Sequence, residues 1–514
     1  MNMRQPIVST KCGRLEGDFQ NGIYSFKGVP YAAPPVGDLR WMPPQAPTPW
    51  SGVRPARNYG AIAPQNLMPA GGGFGPDFSG QPQDEDCLFL NIWTPGLDDA
   101  RRPVMLWIHG GAFIIGSGTE RFLEGGRLAK RGDIVLVSAN YRLGALGFMN
   151  LKEITSGKIP ATGNEGLLDQ IAAMEWVHDN IAAFGGNPDN ITIFGFSAGG
   201  MSIGCLLAMP AAQGKFHKAI NRSGAANVVG TLDSAVRISE QFVKMFGLSG
   251  SDTDSLRKLT VQQLLEGQQK LSTRLRESEY RATPFQPVVD GKDIPELPMI
   301  SIKRGAAKSI PLMAGNMLDE LKAMNAMDPA VRSMDQHGLV TRLNRIVPPD
   351  LVPGLVRAYN EALAKRGGAA TPGDILGSIN TDMMFRMPTI RLVEAQRDVG
   401  APAYNYLFTY RSPAMGGALG AMHGLDNPML FGSLDAQFTG NGPEVEDLAA
   451  KVQDSCTAFA RTGDPSCRTI GRWPPYGQDR MTMVFDKNTR FEAAPYETER
   501  LAWEGYEVLS NPPL

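Results

Sequence analysis

The chain predicts an α/β fold in which a largely parallel central sheet is flanked by helices. Three observations lead there. "PVMLWIHGG" (103–111) and "DIVLVSANY" (133–141) are short runs rich in Val, Leu and Ile and bounded by turn residues, as strands buried on both faces of a parallel sheet should be. "GLLDQIAAMEWVHDNIAAF" (166–184) sets Leu168, Ile171, Met174 and Ile181 at helical spacing and stops before "GGNP". After that turn comes "NITIFGF" (190–196), a third apolar run. Strand, crossover helix and strand in that order are the repeating unit of a parallel sheet.

Further strands are expected in "SIPLMAGN" (309–316) and "PAYNYLFTY" (402–410). Between them, stretches 224–308 and 321–400 are polar, Leu- and Arg-rich and mainly helical, and are expected to cap the sheet as insertions in one domain spanning 1–514. "MPAGGGFGPDFSGQPQ" (68–83) is the one loose loop, and its Phe74 and Phe78 are candidate walls for a substrate pocket. With 514 residues, 42% of them hydrophobic and 20% charged, the chain has ample material for a core. A formal net charge of −2 gives no pull toward nucleic acid or an anionic membrane, and no apolar run is long enough for a membrane span. The expected partner is a small molecule of neutral or mixed character; the oligomeric state is not legible. The first residues lack the apolar centre of a secretory signal, and Cys12, Cys87, Cys205, Cys456 and Cys467 are odd in number with no metal-ligand spacing. A cytoplasmic location with free thiols is the expectation.

The chemistry starts at "GFSAGG" (195–200). Among 58 glycines a G-x-S-x-G match is weak by itself, but this one lies directly after a strand and directly before the apolar run "MSIGCLLAM" (201–209). In that setting Ser197 stands on a tight turn above the C-terminal edge of the sheet, where open α/β folds bind ligands. The competing reading makes Ser197 a mere helix N-cap. A nucleophilic serine needs a base, and the chain holds five histidines. His109 ends a strand where backbone amides are wanted, His178 falls in the crossover helix, His217 leads into a strand and His337 lies in the cap. His423, in the glycine-rich loop "GGALGAMHGLDNPMLFG" (416–432), remains. Asp319 and Glu320, after the 309–316 strand, could each orient it by position. Asp319 is well placed to cap the following helix, which makes Glu320 the better orienting carboxylate. Gly110 and Gly111 in "HGGAF", with the N–H of Ala198, supply up to three donors for an oxyanion.

These motifs, together with "FKGVPYAAPPVGDLRW" (26–41), "EDCLFLNIWTP" (85–95), "NYRLGALGF" (140–148), "GNEGLLDQ" (163–170), "FGGNP", "GNMLDE" (315–320), "HGLDNPMLFG" (423–432) and "FARTGDP" (459–465), closely resemble those of the type-B carboxylesterases, the family of carboxylesterases, cholinesterases and bacterial para-nitrobenzyl esterases. The resemblance runs nearly end to end. It implies the α/β-hydrolase fold, with Ser197 as nucleophile, Glu320 as triad acid, His423 as base, and Gly110, Gly111 and Ala198 as oxyanion donors. It also implies ion pairs between Arg40 and Glu85 and between Arg142 and Asp169. Where family members with a disulfide pair the cysteine of "EDCL" with one in "CPQ", this chain has Ala63, so Cys87 lacks that partner. Phe196 stands where cholinesterases carry Glu before the serine, and no Trp lies between Pro64 and Glu85, which argues against an aromatic site for choline. Leu321 replaces the glycine usual after the acid, and Asp426 stands where Glu is commoner.

The expected activity is hydrolysis of small to medium, largely neutral carboxylic esters through an acyl-enzyme, with no metal or organic cofactor. A lipase, or an amide or carbamate hydrolase of the same fold, is the near alternative. A non-catalytic binding or adhesion relative is remote, since it predicts a broken triad and an export signal. The sequons at Asn190 and Asn221 fall in or beside buried strands, and "RGD" (131–133) is the turn before one.

Overall fold

The structure, a computed structural model, describes residues 5–66, 78, 80–277, 284–367 and 370–507. Its central sheet comprises β1 (Asp18–Gln20), β2 (Ile23–Pro30), β3 (Phe89–Thr94), β4 (Arg102–Ile108), β5 (Val135–Ala139), β6 (Gly186–Phe196), β7 (Lys218–Arg222), β8 (Leu312–Met317), β9 (Ala403–Phe408), β10 (Met481–Phe485) and β11 (Arg490–Ala493). Across the sheet the order is β11-β10-β9-β8-β7-β6-β4-β5-β3-β2-β1. From β5 to β10 every neighbouring pair is parallel. The antiparallel pairs lie toward the two edges. The sheet is thus mostly parallel, as the sequence predicts.

Alternation along the strands builds a core on each face. In β4, Val104, Leu106 and Ile108 join one apolar cluster while Met105 and Trp107 join the other. In β8, Leu312 and Ala314 face the first and Met313 and Met317 the second. Every residue of β3, β5, β8 and β9 is buried. That is why β5, β8 and β9 read as largely apolar runs. Helix α1 (Glu165–Asn180) is the expected crossover, ending in a 3-10 turn at Ile181–Phe184. Helix α2 (Ala198–Leu206) starts at the residue after Ser197, earlier than the apolar run alone predicts.

Strands β1 to β3, β10 and β11 are additions to the sequence reading, as is a small sheet formed by Ile7–Thr10, Gly13–Glu16 and Val53–Pro55. These lie at or near the rims; the outermost, β1 and β11, are short and half-exposed and carry little apolar signal. Stretch 224–308 holds helices Leu232–Lys244 and Val261–Glu277 and a two-residue parallel pairing of Gly230–Thr231 with Val288–Val289. Stretch 321–400 is helical throughout much of its length and carries a cluster of its own around Leu339, Leu355, Tyr359 and Ile379, joined by Trp503. Both anticipated ion pairs are present. Arg40 grips Glu85 with two hydrogen bonds of 2.5 and 2.7 Å, and Arg142 grips Asp169 with two of 2.7 and 2.8 Å. All five cysteines are free thiols, with Cys87 fully buried. Asn221 is buried and donates to the Gly200 carbonyl at 2.8 Å.

Candidate active site

Parallel strands end on one edge, and the anticipated residues gather there. Gly110 follows β4, Ser197 follows β6, Glu320 follows β8, and the loop after β9 carries His423. The loop has three strand spacings to cross to reach β6, about 14 Å. Backbone ties hold it: the His423 N–H donates to the Glu320 carbonyl at 3.3 Å, the Asp319 N–H to the Ala421 carbonyl at 3.1 Å, and the Ala421 N–H to the Asp319 carboxylate at 2.9 Å.

Ser197 has φ 55° and ψ −123°, a conformation L-residues rarely adopt. Its N–H donates to the Arg222 carbonyl on neighbouring β7 at 2.9 Å, and its carbonyl accepts from Met201 at 2.8 Å. The glycines on either side make this turn possible. A Cβ at Gly199 would stand 2.0 Å from the Ile108 carbonyl, and one at Gly195 would stand 2.7 Å from Gly199. Although Ser197 occupies the N-cap position of α2, its side chain makes no capping bond. The N-cap reading therefore fails, and the strain sits at a residue whose hydroxyl the helix does not use.

Glu320 has no solvent exposure. One carboxylate oxygen accepts from the Met317 N–H at 2.8 Å, and the other accepts from His423 Nδ1 at 2.5 Å. Because a carboxylate only accepts, Nδ1 carries the proton. The His423 ring packs against two phenylalanines, with centroids 4.4 Å from Phe196 and 5.1 Å from Phe385. A Cβ at Gly110 would stand 3.0 Å from Ser197 Cβ, so the glycine loop closes against the serine. Ala198 is fully buried at the start of α2.

One expectation is corrected. Asp319 does not cap the next helix, Lys322–Met327, whose N-cap is Leu321 with no side-chain bond. Its carboxylate is spent on the Ala421 N–H instead. Of the other histidines, His178 is exposed, His337 sits on an exposed helix face, and His217 Nδ1 accepts from the Ile191 N–H. Phe78 is buried; Phe74 and most of its loop lie outside the described residues.

Sequence reasoning missed two features. Phe385 reaches His423 from a π-turn at Asp382–Arg386, and no local signal marks it. The second is an ion pair between Arg222 and Asp426, each only about 2% exposed, which anchors the His423 loop to the strand beside the serine. Arg222 also donates to Asn427 at 3.0 Å. A charged residue at the end of the short strand "KAINR", which continues a buried sheet, is the available signal. Asp426→Asn leaves a buried guanidinium without its counter-charge and is expected to lower unfolding free energy by about 3–5 kcal/mol, read from urea denaturation. An unchanged urea midpoint would show that the pair is not structural.

His109 yields a pH prediction. Burial pushes its imidazole down to about 4, while an unfolded histidine titrates near 6.5. Between these values the unfolded chain binds the extra proton, so the associated stability is complete above pH 6.5 and is lost as the pH falls toward 4. Going from pH 7 to pH 5, the wild type should lose about 2 kcal/mol more than His109→Phe in urea unfolding. Equal losses would contradict this.

A mostly parallel sheet of this strand order, with a serine on a strained strand-to-helix turn and a histidine held by a buried carboxylate at the same edge, defines the serine hydrolases of the α/β-hydrolase fold. The chain belongs to the carboxylesterase family, whose sequence profile matches residues 4–503. It is 36% identical to the para-nitrobenzyl esterase of Bacillus subtilis, over 97% of this chain and 98% of that protein. It is 35% identical to the phenmedipham hydrolase of Pseudarthrobacter oxydans, over 92% of this chain and 94% of that one. Among solved structures, the Geobacillus stearothermophilus carboxylesterase EST55 superposes with a TM-score of 0.86 at 36% identity, covering 97% of this chain and all of that one.

Proposed function

We propose that the protein hydrolyses small to medium, largely neutral carboxylic esters, with Ser197, His423 and Glu320 as its triad. Ser197 Oγ attacks the ester carbonyl as His423 Nε2 takes its proton. Glu320 holds the ring by Nδ1 and stabilises the imidazolium that forms. The N–H groups of Gly110, Gly111 and Ala198 stabilise the oxyanion of the tetrahedral intermediate. The alcohol leaves with the proton from His423, and water cleaves the acyl-enzyme by the same steps in reverse. The observation that carries this reading is the 2.5 Å bond from His423 to the buried carboxylate of Glu320, beside a strained serine whose hydroxyl caps nothing.

The reading extends to the rest of the chain. Residues 1–514 act as one catalytic unit, with 224–308 and 321–400 as insertions that shape the pocket. Free thiols at all five cysteines support a cytoplasmic setting. Among the described residues no helix is long and apolar enough to cross a membrane.

The test is a panel of para-nitrophenyl esters of increasing acyl length, with amide and carbamate counterparts, assayed below and above each substrate's solubility. Highest kcat/KM on short, dissolved esters is the expected result. Activity that appears only above solubility and rises with chain length would make the protein a lipase, and faster cleavage of amides or carbamates would replace the ester assignment.

A further inference from the structure

The ring of His109 has no solvent exposure and lies flat against Tyr141, with centroids 4.2 Å apart and planes 16° from parallel. Its Nδ1 stands 2.8 Å from the carbonyl oxygen of Gly110. A carbonyl only accepts, so Nδ1 is the protonated nitrogen. The Tyr141 hydroxyl donates to the carbonyl oxygen of His109, also at 2.8 Å. Two stacked side chains therefore hold the two successive carbonyls that precede Gly110 and Gly111 N–H respectively along the loop.

A peptide unit is planar and trans, so the C=O of one residue and the N–H of the next point in opposite directions. Holding the His109 carbonyl fixes where the Gly110 N–H points, and holding the Gly110 carbonyl fixes where the Gly111 N–H points. We infer that His109 and Tyr141 are paired positioning residues for the oxyanion hole, each aiming one glycine N–H at the oxygen that gains charge during acyl transfer. This inference rests on the reading of Gly110 and Gly111 as oxyanion donors.

The surroundings fit that task. Gly111 has φ 111°, a region open to glycine, and a two-glycine loop left to itself would sample many peptide orientations. An oxyanion hole works because its donors are already oriented when charge develops, so freedom there costs rate. Gly116 closes over the arrangement: a Cβ there would stand 2.3 Å from both the Gly110 oxygen and His109 Nδ1. Gln65 fixes Gly116 in turn, accepting from its N–H at 2.8 Å and donating to its carbonyl at 3.0 Å. His109 Nε2 has no hydrogen-bond partner among the described residues. The fold thus tolerates an unsatisfied buried nitrogen on a ring whose other nitrogen is engaged, which favours a role for the Nδ1 bond over simple core filling.

Tyr141→Phe removes one oxygen and keeps the stacked ring; His109→Phe keeps the stack and removes the donor. Each should lower kcat on a short para-nitrophenyl ester by about 10- to 100-fold while KM stays within about twofold. The second readout is an alkyl trifluoromethyl ketone. Ser197 Oγ adds to its carbonyl carbon and passes its proton to His423, leaving a hemiketal oxyanion in the hole. Affinity for the ketone should fall by the same factor as kcat/KM. Wild-type kcat and ketone affinity in Tyr141→Phe would overturn the inference, as would a loss confined to KM. Tyr141→Phe decides the matter alone should His109→Phe fail to fold. An inactive Ser197→Ala beside a fully active Tyr141→Phe removes only the positioning role, whereas an active Ser197→Ala removes the triad reading beneath it.

Discussion

Ser197→Ala is expected to lower kcat on a short para-nitrophenyl ester by roughly 10⁶-fold, with the fold and the urea midpoint little changed. The size of the effect follows from what the residue does in the proposed mechanism. Without Oγ there is no acyl-enzyme, and the residual rate is that of water attacking a bound ester polarised by the oxyanion amides. Little stability should be lost, since the side chain makes no capping bond to α2. Alanine has its own penalty at φ 55°, so thermal stability is not expected to rise by much. Retention of more than about a hundredth of wild-type kcat would be incompatible with Ser197 as the nucleophile.

Glu320→Gln should cost roughly 10⁴-fold in kcat with little change in KM, and the geometry explains why so small a change is so damaging. One oxygen of Glu320 accepts from the Met317 N–H and the other from His423 Nδ1. A glutamine has one oxygen for two donors. With its oxygen on Met317, its NH₂ faces Nδ1 and forces the tautomer protonated at Nε2, which cannot take a proton from Ser197. With the amide reversed, two N–H groups collide at Met317. Glu320→Asp keeps the charge but shortens the reach and should fall between the two in kcat. A Glu320→Gln enzyme with near wild-type kcat would show that the carboxylate is structural only.

Much of this is legible in the sequence. The central strands betray themselves as apolar runs because both their faces are covered, and a parallel sheet then obliges their C-terminal ends to meet at one edge. With His423 singled out among five histidines, the candidate constellation could be named from four strand ends. Long-range contacts are what the sequence hides. Asp319 has the composition of a helix cap, yet its carboxylate is taken by Ala421, a residue about a hundred positions away, and the helix begins only at Lys322. Phe385 reaches the histidine through a π-turn, a backbone irregularity without a composition of its own. Arg222 and Asp426 are legible as charges but not as a pair, because their meeting depends on how the His423 loop folds back. In the sequence His109 reads only as the residue before two glycine amides; its stacking on Tyr141 exists only once β4 and β5 lie side by side.

The central claim is that Ser197 is the reacting residue, and the direct measurement is covalent labelling. A serine-directed fluorophosphonate, incubated with the native enzyme, digested and mapped by mass spectrometry, should give one adduct per chain on the peptide carrying "GFSAGG", lost in Ser197→Ala and formed in step with the loss of esterase activity. An adduct on another residue, or undiminished labelling of Ser197→Ala, would contradict the account.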